Sequence, residues 1–342
     1  MTMNASAATT RRAFVRLALG AAVAGPLAAS AGCSVLNGSS GSNSSGAPSA
    51  AGVEKNKITV GVLSSQGSAP SKLAEKSGYF TREGLEVTLK PLAAGPQAFA
   101  PLQNGEMDFA VVNYVSFFQA VAQNTLDAKI VVDGNTANEN SVVLVAKRDS
   151  GIVSARDLIG KKIGIQQAGS IAELLVRATL KDNDVPPDSP HYLPIKFPDI
   201  PAAIVSGQLD AGVEVEPFLT RAEQKEGLVP VLKIVAGSTA NMPQTGYIAM
   251  TKFIDANPKT VAAFQRAMIP AQTDAADRAK LSDVLADLTG VDQATAALLN
   301  IDTYPTSLNA TQLQRVITLM QAYGGLEAQL DATKLTVPTP QA

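Results

Sequence analysis

The chain of 342 residues contains no tryptophan, one cysteine and one histidine. A single cysteine rules out an intrachain disulfide, so stability must come from packing. One His and one Cys cannot supply a metal cluster or a His-dependent nucleophilic triad. The 28 Lys and Arg do not outnumber the 30 Asp and Glu, and no basic run interleaved with aromatics occurs, which argues against nucleic acid as a partner. Neither a Walker loop nor a dinucleotide fingerprint follows a strand pattern, so no cofactor and no metal are expected. The lone His191 sits among Pro186, Pro187, Pro190 and Pro194, where a solvent-exposed loop is the expected setting.

What the sequence does contain is a phrase used twice. Asn104-Gly105-Glu106-Met107-Asp108 leads into Phe109-Ala110-Val111-Val112, and Ser206-Gly207-Gln208-Leu209-Asp210 leads into Ala211-Gly212-Val213. Each copy reads as a helix end, a left-handed glycine stop and a strand begun by Asp. The copies lie about a hundred residues apart, the size of a small α/β domain. Two similar halves facing each other form a cleft, where small molecules are commonly held.

The first residues read as an address. Thr10-Arg11-Arg12-Ala13-Phe14-Val15-Arg16 precedes the uncharged stretch Leu17 to Ala31, too short and too Ala/Gly-rich for a comfortable membrane span. The segment resembles a twin-arginine export signal, the alternative being an ordinary secretory signal with a chance Arg pair. Cys33 follows Ser30-Ala31-Gly32, a setting that resembles a bacterial lipobox with Ser30 where Leu is usual. Either Cys33 is lipidated, or cleavage after Ala31 releases a soluble protein with a free thiol. Residues 34–56 are rich in Ser, Gly and Ala and are expected to be a flexible tether.

From Lys57 onward, strand and helix patterns alternate. Strands are expected at Lys57–Leu63, Leu85–Lys90, Phe109–Asn113, Ala128–Val132, Val142–Ala146, Lys162–Ile165, Val213–Val215, Val229–Ile234 and Gly246–Met250. Residues 133–140 read as a polar loop and 186–201 as irregular or extended. Beyond Pro258 the chain is nearly all helix, with Val261, Phe264, Ala267, Met268 and Leu281, Leu285, Leu288 forming faces that can pack back on the first half. The alternation implies mainly parallel sheets flanked by helices, with ligands beyond the carboxyl ends of the strands.

The loops at those ends supply the candidate binding residues Ser64, Ser65, Gln66, Ser68, Gly95, Gln97, Asn113, Tyr114, Asn138, Gln166, Gln167, Gly169, Ser170, Glu216 and Thr245. They are uncharged donors and acceptors apart from Glu216, and no Lys or Arg accompanies them. An anion would have to be held by helix N-termini and hydroxyls. Gly169-Ser170 is open to two readings, an anion cradle or a plain N-cap. Glu214 and Glu216 share one strand face, which either is exposed or sends Glu216 into the cleft, where it would favour a ligand with a hydrogen-bond donor. No catalytic residues are assigned, and the chain is expected to bind rather than to catalyse.

These residues together resemble a known family. Gly78-Tyr79-Phe80, Glu83-Gly84-Leu85-Glu86-Val87, Gly95-Pro96-Gln97, Asn104–Phe109, Gly160–Ile165, Gly207–Ala211, Glu216-Pro217-Phe218 and Asn257-Pro258 are similar to the solute-binding proteins of nitrate, sulfonate, taurine and thiamine-precursor importers, the SsuA/TauA/NMT1-like lipoproteins. The resemblance implies a type II periplasmic-binding-protein fold, each lobe a mainly parallel sheet flanked by helices. Lobe 1 would hold residues 57–141 plus 246–335, lobe 2 residues 151–240, and the hinge segments 142–150 and 241–251. It also implies a monomer that binds a small solute of sulfonate, taurine or nitrate type, and delivers it to an ABC permease and its ATPase. That monomer would be lipid-anchored to the outer face of the cytoplasmic membrane or periplasmic. The alternatives are a pyrimidine, thiamine or flavin precursor as ligand, a pyrimidine-forming enzyme relative, and a sensor that signals without transport. The anchor has a direct check: Cys33→Ala should move the protein from the membrane to the soluble fraction, and persistence in the membrane would contradict lipidation.

Overall fold

The computed structural model describes residues 52–323 and 325–340. The expected export signal (1–33), the lipidation site Cys33 and most of the tether lie outside them. The tether's last residues, 52–56, do not continue the pattern of a free linker. Glu54 accepts the N–H groups of Lys259 and Thr260, and the Lys55 ammonium pairs with Asp108 at 2.7 Å. Glu54 and Lys55, which composition alone reads as tether, are thus fastened to the first half.

Among the described residues, ten strands form two five-stranded sheets. The first contains β1 (Lys57–Leu63), β2 (Glu86–Leu92), β3 (Phe109–Asn113), β4 (Ala128–Thr136) and β10 (Pro243–Met250), in the order β2-β1-β3-β10-β4. The second contains β5 (Val142–Ala146), β6 (Lys162–Ile165), β7 (His191–Pro194), β8 (Ala211–Val215) and β9 (Val229–Lys233), in the order β7-β6-β8-β5-β9. The two orders are equivalent. In each sheet the strand that arrives from the other half is the antiparallel one: β10 pairs antiparallel with β3 and β4, and β5 with β8 and β9.

The repeated phrase marks equivalent places in the two sheets. Gly105 and Gly207 end their helices at φ of 80° and 79°, a conformation that costs a residue with a Cβ but not glycine. Asp108 then donates its N–H to Thr59 O and accepts the Thr59 N–H on its carboxylate. Asp210 does the same with the backbone of Lys162. Each Asp thereby registers β3 against β1 or β8 against β6.

The central strands β3 and β10 of the first sheet are buried on both faces, as strands covered on two sides must be, while edge strand β2 is partly exposed. Phe109, Val111, Tyr247 and Ala249 face a core shared with Val261, Phe264, Met268, Leu281 and Leu285, so the C-terminal helices do fold back on this half. Phe264 stacks on Phe109 with ring centroids 4.1 Å apart. Ala110, Val112 and Ile248 face the opposite way, into a core that runs on to Leu144, Ile163, Ile165 and Val213 of the second sheet and is bridged by Leu313, Val316, Ile317 and Met320 of the helix Ala310–Ala322.

Two expectations need correction. Residues 133–136 are strand, because β4 continues to Thr136 along β10 and Thr136 exchanges backbone hydrogen bonds with Thr303. The proline-rich stretch contains β7, which pairs with β6 alone and, as an edge strand, tolerates Pro194; His191 is exposed on it. The segments expected as hinge, 142–150 and 241–251, contain β5 and most of β10 and lie at the ends of the two connections between the sheets, residues 137–141 and 234–242.

Glu214 of β8 is fully buried, not on an exposed face. It pairs across the ladder with Val143, and among the described residues neither carboxylate oxygen has a hydrogen-bond donor. Burial, reinforced by the charges of Glu216 and Glu226, pushes its pKa up to about 9. A carboxyl held neutral in the fold but titrating near 4.5 when unfolded stabilises fully below that lower value, and the contribution is lost as pH rises toward 9. Thermal unfolding should therefore show stability falling from pH 5 to pH 8 by up to about 1.4 kcal/mol per pH unit, and Glu214→Gln should remove that slope. Identical slopes in the two proteins would contradict this assignment.

Candidate functional site

The loops that follow β1, β3, β6 and β8 meet along a seam between the sheets. After β1, Ser68 Oγ accepts the Leu63 N–H at 2.7 Å and closes the end of the strand. Gln66 is buried and turns toward the C-terminal segment, donating to Asn300 O at 2.8 Å and accepting from Asp302 N–H at 3.0 Å. After β3, Asn113 caps the helix Tyr114–Ala122 by accepting the Ser116 N–H at 2.8 Å. Tyr114 is fully buried and donates to Asp133 at 2.6 Å. Burial pushes the Asp133 pKa up to about 7, held back by that phenol and the Gly134 N–H. A Cβ on Gly246 would stand 2.5 Å from the Tyr114 hydroxyl, so the small residue there makes room for the ring.

Across the seam, Gly169 and Ser170 precede the helix Ile171–Asp182. Gly169 O accepts from Gln119 of the first half at 3.1 Å. The N-cap arrangement is built from the chain itself: Ser170 accepts the Glu173 N–H, and the Glu173 carboxylate accepts the Gly169 N–H at 2.8 Å. One turn further on, Arg177 Nε donates to Glu173 at 2.7 Å and Nη1 to Asp188 at 2.5 Å, while its guanidinium lies 4.9 Å from the Tyr192 ring centroid. Burial works against the Arg177 charge, but the bonds to Asp188 and Glu173 outweigh it and raise its pKa.

At the end of β8, Glu216 is buried with four donors on its carboxylate. Thr220 contributes its hydroxyl and N–H at 3.0 and 3.2 Å, and Asn300 its N–H and side-chain amide, both at 2.9 Å. Asn300 comes from the far end of the sequence. Asn138, in the connection between sheets, donates to Ile301 O, and Thr245 donates to Asn135, which in turn donates to Asp302. Burial lifts the Asp302 pKa to about 6, with Ser141 and Asn135 opposing and Glu216 adding to the rise.

The expected site residues therefore divide. Gly169 and Ser170 line a cavity of about 380 Å³ together with Val115, Ala168, Glu173, Leu174, Arg177, Asp188, Met320 and Tyr323. Gln66, Asn138, Thr245 and Glu216 belong to the hydrogen-bonded network around residues 300–302. Ser68, Asn113 and Tyr114 serve their own strand ends. Ser64, Gln97, Gln166 and Gln167 are exposed, Ser65 is half-buried, and Gln97 accepts the Ala93 N–H within its own turn. Gly95 is buried against Val112, which a Cβ would meet at 3.2 Å.

The loops themselves contain no cation, but the cavity does have one. Arg177 sits on the helix behind the loop, and the Glu173-x-x-x-Arg177 spacing just after a capping serine was the signal for it. Met320 and Tyr323 arrive from the C-terminal helix, and nothing in their local sequence marks them.

Comparison with known proteins agrees with this architecture. The family model described as NMT1/THI5 like matches residues 66–279. The periplasmic aliphatic sulphonate binding protein SsuA from Escherichia coli superposes with a TM-score of 0.70 at 18% identity, covering 82% of this chain and 97% of that one. Among curated proteins, the putative binding protein YtlA of Bacillus subtilis is 24% identical over 208 residues, 60% of this chain and 61% of that protein. A 4-amino-5-hydroxymethyl-2-methylpyrimidine phosphate synthase of Schizosaccharomyces pombe is 27% identical over 222 residues, with the same two coverages. The match thus spans about three fifths of these curated relatives. Two mixed sheets of equivalent order, flanked by helices, constitute the periplasmic-binding-protein fold, and this chain belongs to the NMT1/THI5-like family.

Proposed function

We propose that this protein is the extracytoplasmic solute-binding component of an ABC importer. It captures a small solute between its two halves and hands it unchanged to a permease and its ATPase, as a monomer exported from the cytoplasm and held to the membrane through Cys33. The observation that carries this reading is the seam itself. The carboxyl ends of two equivalent sheets face each other across it, with a cavity of about 380 Å³ beside Gly169 and Ser170, inside the size range of small-molecule sites.

The charges at that cavity narrow the solute class. Arg177 carries one positive charge, Glu173 and Asp188 together two negative ones. A bare anion such as nitrate meets a net negative surround. A small molecule bearing both an ammonium and a sulfonate, of the taurine type, can satisfy both signs, and it keeps to the sulfonate class named for the SsuA neighbour.

A second reading, a pyrimidine-forming enzyme, has the sequence similarity to the named synthase in its favour. Against it stands the inventory of reactive side chains: the sole histidine, His191, is exposed on edge strand β7, away from the seam.

A thermal-shift panel of taurine, alkanesulfonates, nitrate, and pyrimidine and flavin precursors tests the proposal. A bound solute at a hundred times its dissociation constant stabilises by about 2.7 kcal/mol, and the aminosulfonate should give the largest shift. Absence of a shift with every compound would overturn the solute class. Arg177→Met should weaken binding of that solute at least about tenfold, through loss of a charge-assisted contact; unchanged affinity would remove Arg177 from the site.

A further inference from the structure

The segment from Leu299 to Tyr304 belongs structurally to the first half. Leu299 is buried in the core around Phe264. Thr303 exchanges two backbone hydrogen bonds with Thr136, at 2.9 and 3.0 Å. Gln66 holds the segment from the β1 loop through Asn300 O and Asp302 N–H. Asn135 and Asn138 hold it from β4 and the connection that follows. From this anchored base one residue, Asn300, reaches the second half and gives both of its N–H groups to the same oxygen of buried Glu216.

We propose that residues 299–304 form an interlobe latch, in which Asn300 engages Glu216 to bias the seam toward its closed arrangement at the carboxyl end of β8. The chemistry suits a fastening. Glu216 is a buried carboxylate, and separating the halves would leave it with Thr220 alone while removing the acceptor of two Asn300 donors. A buried group stripped of its partners costs more than an exposed bond of the same kind returns. Other side-chain bonds link the halves through backbone carbonyls: Gln119 to Gly169 O at 3.1 Å, Arg221 to Gly290 O at 3.4 Å, and Arg315 to Ala240 O and Asn241 O in the connection at 2.6 and 2.9 Å. The Lys233–Glu139 pair at the other connection is solvent-exposed on both sides. None of these bonds ends on a buried carboxylate, as the Asn300 bonds do. The latch also gives Glu216 a purpose other than contacting solute, since its carboxylate is already met by four donors.

This inference depends on the two-half fold and not on the identity of the solute, so failure of the ligand panel leaves it standing. The test uses the full chain with Cys33→Ser and spin labels at Ala100→Cys and Lys196→Cys, exposed positions in the first and second halves. Distances are measured by double electron–electron resonance without added solute. Asn300→Asp, which sets a like charge against Glu216, and Asn300→Ala, which removes the amide, should each shift the distribution to longer separations. Hydrogen exchange at the Thr220 amide should quicken, and the circular dichroism should stay that of the parent. A parental distribution in both variants would overturn the latch. So would loss of the folded dichroism signal in either, because that would make Asn300 a part of the core and not a fastening upon it.

Discussion

The structure depends on an exchange of strands. The chain leaves the first sheet after β4 and places its next strand, β5, antiparallel between β8 and β9; it returns after β9 and places β10 antiparallel between β3 and β4. Neither sheet is complete without a strand that borders a connection, so the two halves are fixed in topology, and among the described residues the chain passes between them at 137–141 and 234–242. The same exchange directs the carboxyl ends of the parallel strands of both sheets at one seam, and the cavity and the Asn300 contact follow from it.

At that seam most polar side chains are employed by the protein itself. Tyr114 is committed to Asp133, Ser68 to Leu63, Thr245 to Asn135, and Glu216 to Thr220 and Asn300. Desolvated polar groups need such partners, and the network fixes the geometry of the strand ends on which a binding site must stand. The turn Ala168–Ser170 and the Arg177 group with its two carboxylates line one cavity, and Thr220 and Asn300 of the Glu216 network line another of about 450 Å³. Ser170, Glu173 and Arg177 at the first cavity all come from one helix of the second half, Ser170 as its N-cap and the other two from its first two turns.

Much of the fold was legible because local rules and tertiary structure agree. The paired phrase ending in Asp108 and Asp210 located equivalent strands, since a left-handed glycine and an acidic strand start are local requirements. β5 and β6 fall where alternation and apolar content place them. The misreadings came from long-range partners. Residues 133–136 are polar, as a loop is, but Thr303 and β10 supply their backbone bonds from far along the chain. β7 hides among prolines because an edge strand needs only one bonded side. The site was less legible than the fold. Polar residues after strands mark where loops are, but sequence does not tell whether Gln66 or Glu216 turns to a solute or to Asn300. Arg177 lies on a helix and not in a strand-end loop, and Met320 and Tyr323 reach the cavity only through the packing of the last long helix.

The central claim is that a small solute is held in the seam and released without chemistry. Native mass spectrometry of the full chain mixed with the aminosulfonate addresses it most directly, followed by denaturation and identification of what is freed. The account predicts a one-to-one non-covalent adduct that gives back the starting compound intact. A folded protein that forms no adduct, or one that returns a chemically altered compound, would contradict it.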